Sequence, residues 1–172
     1  MIAANNPSLM AWIPVPQGSD FPLQNIPFGI ASIDKGPRFV ATRIGNHVVN
    51  LAALFRRGYF KDLPYSLEDF DSDTLNAIMK YGKLATRDLR NRLSHLFEEN
   101  NQELQSNSVD CKEILVAANE VTLHLPIEIG DYTDFYSSKN HAFNMGAIIR
   151  GPENALQPNW VHLPVGYHGM KK

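Results

Sequence analysis

The sequence predicts an α+β protein, mainly β, built in two parts. Three observations carry this reading. The N-terminal third is a proline-punctuated series of short β-favouring runs. The middle holds one strongly amphipathic helical pattern. An alternating apolar strand then leads into a dense polar segment near the C-terminus. The chain has 172 residues, enough for one ordinary domain or for a small domain plus part of another. A hydrophobic fraction of 44% with 20% charged residues lies in the globular range and can supply a core. A net charge of −2 provides no basic footprint for nucleic acid or for an anionic membrane.

Pro14, Pro16, Pro22 and Pro27 interrupt the start, which favours short strands and turns over helix. Phe28–Ile33 reads as a strand. Residues 39–44 and His47–Asn50 flank Gly45-Asn46, a hairpin signal because glycine accepts the positive φ of a type II′ turn. Residues 11–60 thus read as β-rich, in pieces of the size used by small barrels and sandwiches. From residue 72 to residue 104 the pattern changes. Ser72 or Asp73 is placed to cap a helix with Leu75, Ile78 and Met79 on one side. Leu89, Leu93, Leu96 and Phe97 follow i, i+4, i+7, i+8 spacing, with Arg87, Asp88, Arg90, Arg92, Glu98 and Glu99 filling remaining positions of the segment as a solvated face. Residues 100–108 read as a loop or frayed helix end, 113–118 as a short apolar segment and 121–126 as a strand. The domain boundary is expected within 118–125, giving domains 1–120 and 121–172.

Cys111 is the only cysteine, which excludes an internal disulfide and a thiolate metal cluster and fits a reducing compartment. It reads as a small, partly buried hydrophobe, since a nucleophile would need a basic partner that the sequence does not point to. The first residues lack the basic and apolar regions of a signal peptide, and no stretch approaches the ~20 apolar residues that span a bilayer. The expectation is a soluble, cytoplasmic protein without a nucleic-acid or membrane partner.

The chemistry concentrates between Asp131 and His141, where two carboxylates, two phenols, hydroxyls and an imidazole crowd together. Asp131 and Asp134 could each give oxygen ligands to a hard divalent cation, or could form turns and caps after Gly130. His141 is a candidate general base or a structural histidine. Arg150 can grip a carboxylate in a bidentate fork or pair with Glu153 at the surface. Tyr132, Tyr136 and Tyr167 can donate to substrate oxygens. His162 and His168 look like ligands, but the 163–166 stretch between them reads as strand and turn.

The run from Gly130 to Ser138 with His141-Ala142 resembles the fumarylacetoacetase family. So do Glu153-Asn154-Ala155-Leu156, Pro158-Asn159-Trp160, His162-Leu163-Pro164 and Val165-Gly166-Tyr167-His168-Gly169. Upstream, the stretch from Ser19 to Gly29 resembles the same family's N-terminal signature, so the likeness covers nearly the whole chain.

That resemblance implies an SH3-like N-terminal barrel with packed helices, followed by the first strands of a mixed β-roll catalytic domain that this chain leaves incomplete. It implies hydrolysis of the carbon–carbon bond of fumarylacetoacetate, an acidic diketone, to fumarate and acetoacetate, the last step of tyrosine breakdown. It also implies a homodimer and a Ca²⁺ or Mg²⁺ cofactor. Asp134 matches the metal-ligating aspartate, His141 the base that activates water, and Tyr136, Arg150 and Tyr167 the substrate contacts. The chemistry suits these roles: cleavage needs a stabilised carbanion, and an acidic substrate needs a cationic clamp. In the family, the remaining metal carboxylates, the glutamate that orients the histidine, a lysine and a glutamine lie further downstream. The ending Met170-Lys171-Lys172 departs from the family pattern and reads as a truncation. The expectation is a chain with little activity alone, one alternative being a non-catalytic interaction or regulatory fragment within a dimer. A hydrolase or decarboxylase acting on another β-keto acid is a further alternative.

Overall fold

The computed structural model describes residues 3–163 and 166–169, so Pro164-Val165 and the expected truncation at Met170-Lys171-Lys172 lie outside the described residues. The chain divides into two compact units, Met1–Glu128 and Ile129–Lys172.

The first unit is built on one antiparallel sheet curled as a half-barrel. Its strands are β1 (Phe28–Ile33), β2 (Arg38–Ile44), β3 (His47–Asn50), β4 (Leu115–Ala117) and β5 (Val121–His124), in the order β4-β3-β2-β1-β5. The Gly45-Asn46 hairpin forms where its residue types require, pairing Ile44 with His47. Gly45 sits at φ 55°, and a Cβ there would lie 2.5 Å from the Pro14 carbonyl oxygen, so both the turn and the neighbouring chain demand glycine. Val121–His124, expected to open the second domain, instead pairs along β1, with Ala31 opposite Leu123. It therefore belongs to the first unit.

Helices cover one face of this sheet. They are α1 (Leu51–Arg56), α2 (Leu67–Phe70), α3 (Asn76–Met79), α4 (Gly82–Phe97), α5 (Gln102–Gln105) and α6 (Ser108–Ile114). The stripe on α4 behaves as its spacing predicts: Leu89, Leu93, Leu96 and Phe97 are all fully buried. They join Ile30, Val40, Ile44 and Val49 from the sheet, with Leu51, Leu54, Phe60 and Phe70 from the helical layer. Trp12 stacks on Phe97 at 5.5 Å and donates its indole N–H to the Leu96 carbonyl at 2.9 Å, which ties the N-terminal stretch to α4. The opposite sheet face holds a small cluster of Ala31, Phe39, Ala41 and Val48. The alternation along β2 separates Val40 and Ile44 from Phe39 and Ala41, as strand geometry requires.

Buried polar groups here divide into paired ones and ones, such as the Thr42 hydroxyl, with no hydrogen-bond partner among the described residues. The Tyr59 hydroxyl donates to Asp110 at 2.7 Å, and Asp110 also has Arg57 at 3.4 Å and the Asn107 amide at 2.8 Å. Burial, then the bond to Asp110, pushes the Tyr59 phenol up to about 12. Tyr65, 6% exposed and with no hydrogen-bond partner for its hydroxyl among the described residues, is pushed up to about 12 by burial. Cys111 is half-buried, its thiol 3.3 Å from the Leu104 carbonyl and raised by burial, which keeps it a poor nucleophile.

Three expectations need correction. The protein is mixed α and β rather than mainly β: α4 has 16 residues and α7 (Lys139–Arg150) has 12, while the longest strand has 7. Ser72 caps no helix, because its hydroxyl is spent on Thr74, and α3 begins only at Asn76. Met79 is consequently 54% exposed, while Leu75 and Ile78 are buried.

The second unit pairs β6 (Tyr132–Phe135) with β7 (Gly166–Gly169) as an antiparallel ribbon and sets α7 between them in sequence. The sequence leads to an expectation of strands alone there, and α7 is a departure from it. Among the described residues no helix is long and apolar enough to cross a membrane.

Candidate functional site

The ribbon fixes the first half of the site. Its register places Asp134 opposite Tyr167, and the Tyr167 hydroxyl donates to the Asp134 carboxylate at 2.8 Å. That bond, then the carboxylate's charge, raises the Tyr167 phenol above its ordinary value. The register is held by aromatic rings over glycines. The ring of Tyr132 occupies the space a Cβ on Gly169 would need, and that of Phe135 packs tightly over Gly166, 3.0 Å from where a Cβ would stand.

Strand alternation separates the two aspartates. Asp131 meets His168 at 3.2 Å, and His168 also lies 3.5 Å from the Thr133 hydroxyl. Thr133 and His168 occupy the face opposite to Asp134 and Tyr167. Asp131 is thus a structural partner of His168. The His162 side chain enters no hydrogen bond, ion pair or ring contact among the described residues.

The second half is built at the start and end of α7. Ser138 caps the helix by accepting from the His141 amide at 3.4 Å. Tyr136 lies in the bend before the cap. Its ring meets the His141 imidazole edge-on at 5.2 Å, and its hydroxyl points to the His141 carbonyl at 3.4 Å. No carboxylate among the described residues bonds the His141 imidazole, so nothing there selects its tautomer.

At the other end, Arg150 donates through Nε to the Asn154 carbonyl at 3.1 Å and through Nη2 to the Ala155 carbonyl at 2.8 Å. It pairs with these backbone groups, not with Glu153. Gly146 allows this arrangement, because a Cβ there would lie 1.8 Å from the Ala155 oxygen. Tyr136, Arg150, Gln157, Asn159 and Trp160 line a cleft of about 190 Å³ in the second unit.

The structure therefore forms two clusters from the five expected residues. Asp134 pairs with Tyr167, and Tyr136 joins His141 and shares a cleft with Arg150. No hydrogen bond, ion pair or ring contact among the described residues links the two clusters. Sequence reasoning named Asn159 and Trp160 only as part of a family likeness and gave Gln157 no role. Their shared cleft depends on the turn at 152–160, which no residue spacing announces. A metal fits poorly: no group of three or more His, Cys, Asp or Glu side chains gathers among the described residues. Ca²⁺ takes roughly six to eight oxygens, and Asp134 brings one carboxylate already engaged by Tyr167.

Comparison with known proteins identifies the class to which this half-barrel and its appended ribbon and helix belong. A family profile described as Fumarylacetoacetase N-terminal matches residues 24–126, inside the first unit. The chain is 45% identical to a fumarylacetoacetase of Aspergillus fumigatus over 168 residues, covering 94% of this chain and 39% of the relative. It is 43% identical to one from Caenorhabditis elegans, covering 94% and 39%, and 40% identical to the human one, covering 93% and 38%. The chain belongs to the fumarylacetoacetase family and carries its N-terminal region. It spans about two fifths of the length of these curated relatives.

Proposed function

We propose that this chain contributes the N-terminal domain and part of the substrate surface of a fumarylacetoacetase, which hydrolyses the carbon–carbon bond of fumarylacetoacetate to fumarate and acetoacetate. We place it in the cytoplasm, as part of a homodimer. The observation that carries the reading is the cleft shared by Tyr136 and Arg150, in a chain of this family. Arg150 is locked by two backbone carbonyls through two of its five N–H groups, and the remaining donors form a fork suited to a substrate carboxylate. The Tyr136 hydroxyl makes only a long bond at 3.4 Å, so it can turn to a substrate oxygen at little cost. His141 beside it is the base for water attack, and Tyr167 is a further substrate contact, its one hydroxyl proton donated to Asp134 and its oxygen left to accept.

The family resemblance assigns Asp134 to Ca²⁺ or Mg²⁺. Among the described residues no group of three or more His, Cys, Asp or Glu side chains makes up such a site, and no step here depends on one. That sparse donor set, with no carboxylate on His141 among the described residues, favours a second reading, a non-catalytic fragment that associates with a longer homologous chain. Two measurements test the pair. Fumarate titrated into the ¹⁵N-labelled chain is expected to shift Arg150 Nε–H, and no shift at saturating fumarate sinks the substrate-surface reading. Fumarylacetoacetate hydrolysis by the chain alone is expected to be close to the blank. Turnover at ordinary enzyme rates overturns the fragment reading, and co-purification with a longer homologous chain supports it.

A further inference from the structure

We propose that Trp160 is a positioning residue that sets the Tyr136–His141 pair by holding the Tyr136 backbone from across the cleft. Tyr136 occupies the bend between β6, which ends at Phe135, and α7, which begins at Lys139. The ribbon ladder stops one residue before it, and its carbonyl lies outside the α7 ladder. The indole N–H of Trp160 meets that carbonyl at 2.6 Å, from 24 residues further along the chain. Trp160 sits in the 3₁₀ turn Pro158–Val161, with proline at the turn's first position fixing φ. With its carbonyl anchored, Tyr136 presents its ring edge-on to His141 and its hydroxyl towards the His141 carbonyl.

Packing alone does not explain this bond. Trp160 is only half-buried, and the buried residues of the second unit among those described are Ala142, Gly146 and Ala155. The indole serves as a donor at the rim of the cleft. It touches neither His141 nor Arg150 by any hydrogen bond among the described residues, so it acts through Tyr136. The inference rests on the reading of Tyr136 and His141 as functional groups, but its test reads their geometry and not turnover.

The test is nuclear magnetic resonance on the whole chain, wild type against Trp160→Phe. A second variant replaces Trp160 with benzothienylalanine, which keeps the bicyclic shape and lacks only the N–H. In the wild type a Tyr136–His141 ring nuclear Overhauser effect is expected. In both variants it is lost, the His141 imidazole resonances move, and amide protection within α7 is retained. Fumarate affinity falls about two- to tenfold, the range of one neutral hydrogen bond. The proposal is overturned if the ring contact is absent in the wild type, or if it survives removal of the N–H in the benzothienylalanine chain. Should Trp160→Phe fail to fold, the benzothienylalanine chain decides alone. Absence of fumarate binding in every chain, with the ring contact responding as expected, counts against the substrate reading and leaves the positioning role standing.

Discussion

The two units differ in what holds them. The first buries a continuous core from Ile13 to Ile114, with Phe60, Phe70, Phe97 and a series of leucines and isoleucines almost wholly removed from water. The second buries only small side chains among its described residues. Its large apolar groups stay in water: Phe135 is 63% exposed, Ile149 68%, Leu163 75% and Ile148 79%. The first unit is stabilised by the hydrophobic effect, and the second by a four-residue ribbon, one helix and a few well-placed polar bonds. The chemistry-bearing residues all sit in the second. Local geometry there depends on single contacts, whereas the first unit distributes its stability over many.

That contrast can be broken most directly at Phe97. Phe97→Ala removes a fully buried ring and its stacking on Trp12, and should destabilise the first unit by about 3–5 kcal/mol in denaturant unfolding. Ile148→Ala, at a residue 79% exposed, should change stability by less than about 0.5 kcal/mol. Equal effects would erase the distinction.

A smaller effect is expected from Gly146→Ala. The added methyl meets the Ala155 backbone and should cost about 1–3 kcal/mol of local stability. Hydrogen exchange should quicken in α7 and stay unchanged in α4. Acceleration in both would show that the units do not respond separately.

Alkaline pH offers a third lever. The ordinary tyrosine value is 10.0, and Tyr59 and Tyr65 are both held up at about 12. Between these values the folded state keeps protons that the unfolded state has lost. Their contribution is therefore fully present below pH 10 and disappears as pH rises through about 12. Tyr59→Phe should flatten that loss, as followed by tyrosine absorbance together with circular dichroism. An unchanged alkaline slope would remove Tyr59 from the account. The smallest effect belongs to the exposed Tyr167→Phe, which should alter stability by less than about 0.5 kcal/mol while freeing Asp134. A larger loss would mean that the ribbon leans on this one bond.

How far these features could be read from the sequence also follows the division. The Gly45-Asn46 hairpin and the α4 stripe are local patterns, one set by backbone conformation and the other by period, and both form as read. In α1, the six residues from Leu51 to Arg56 continue an apolar run, and only the Asn50 cap, accepting from the Ala53 amide, marks a helix. In α7 the buried positions Ala142 and Gly146 are spaced i, i+4 but are small, so hydrophobicity gives no period to find. Its sequence signal is the Ser138 cap, set in a segment dense in other polar groups. The family likeness singles out Asp134, Tyr136, His141, Arg150 and Tyr167 as expected site residues. Their grouping into a ribbon pair and a cleft is not legible in the sequence, because it depends on strand register and on the turn after Gly151.

The paired rings and glycines of the ribbon act as an index. Tyr132 and Phe135 stand three apart on one strand, and Gly166 and Gly169 stand three apart on the other, so both rings seat together in only one alignment. Slipping one strand by a single residue would unseat both rings and send Asp134 to face a different partner. In related chains, insertions within either three-residue spacing should be rare, and length should vary outside them. Where both aromatic–glycine pairs are present at this spacing, the position of the carboxylate relative to the phenol can be read without a structure.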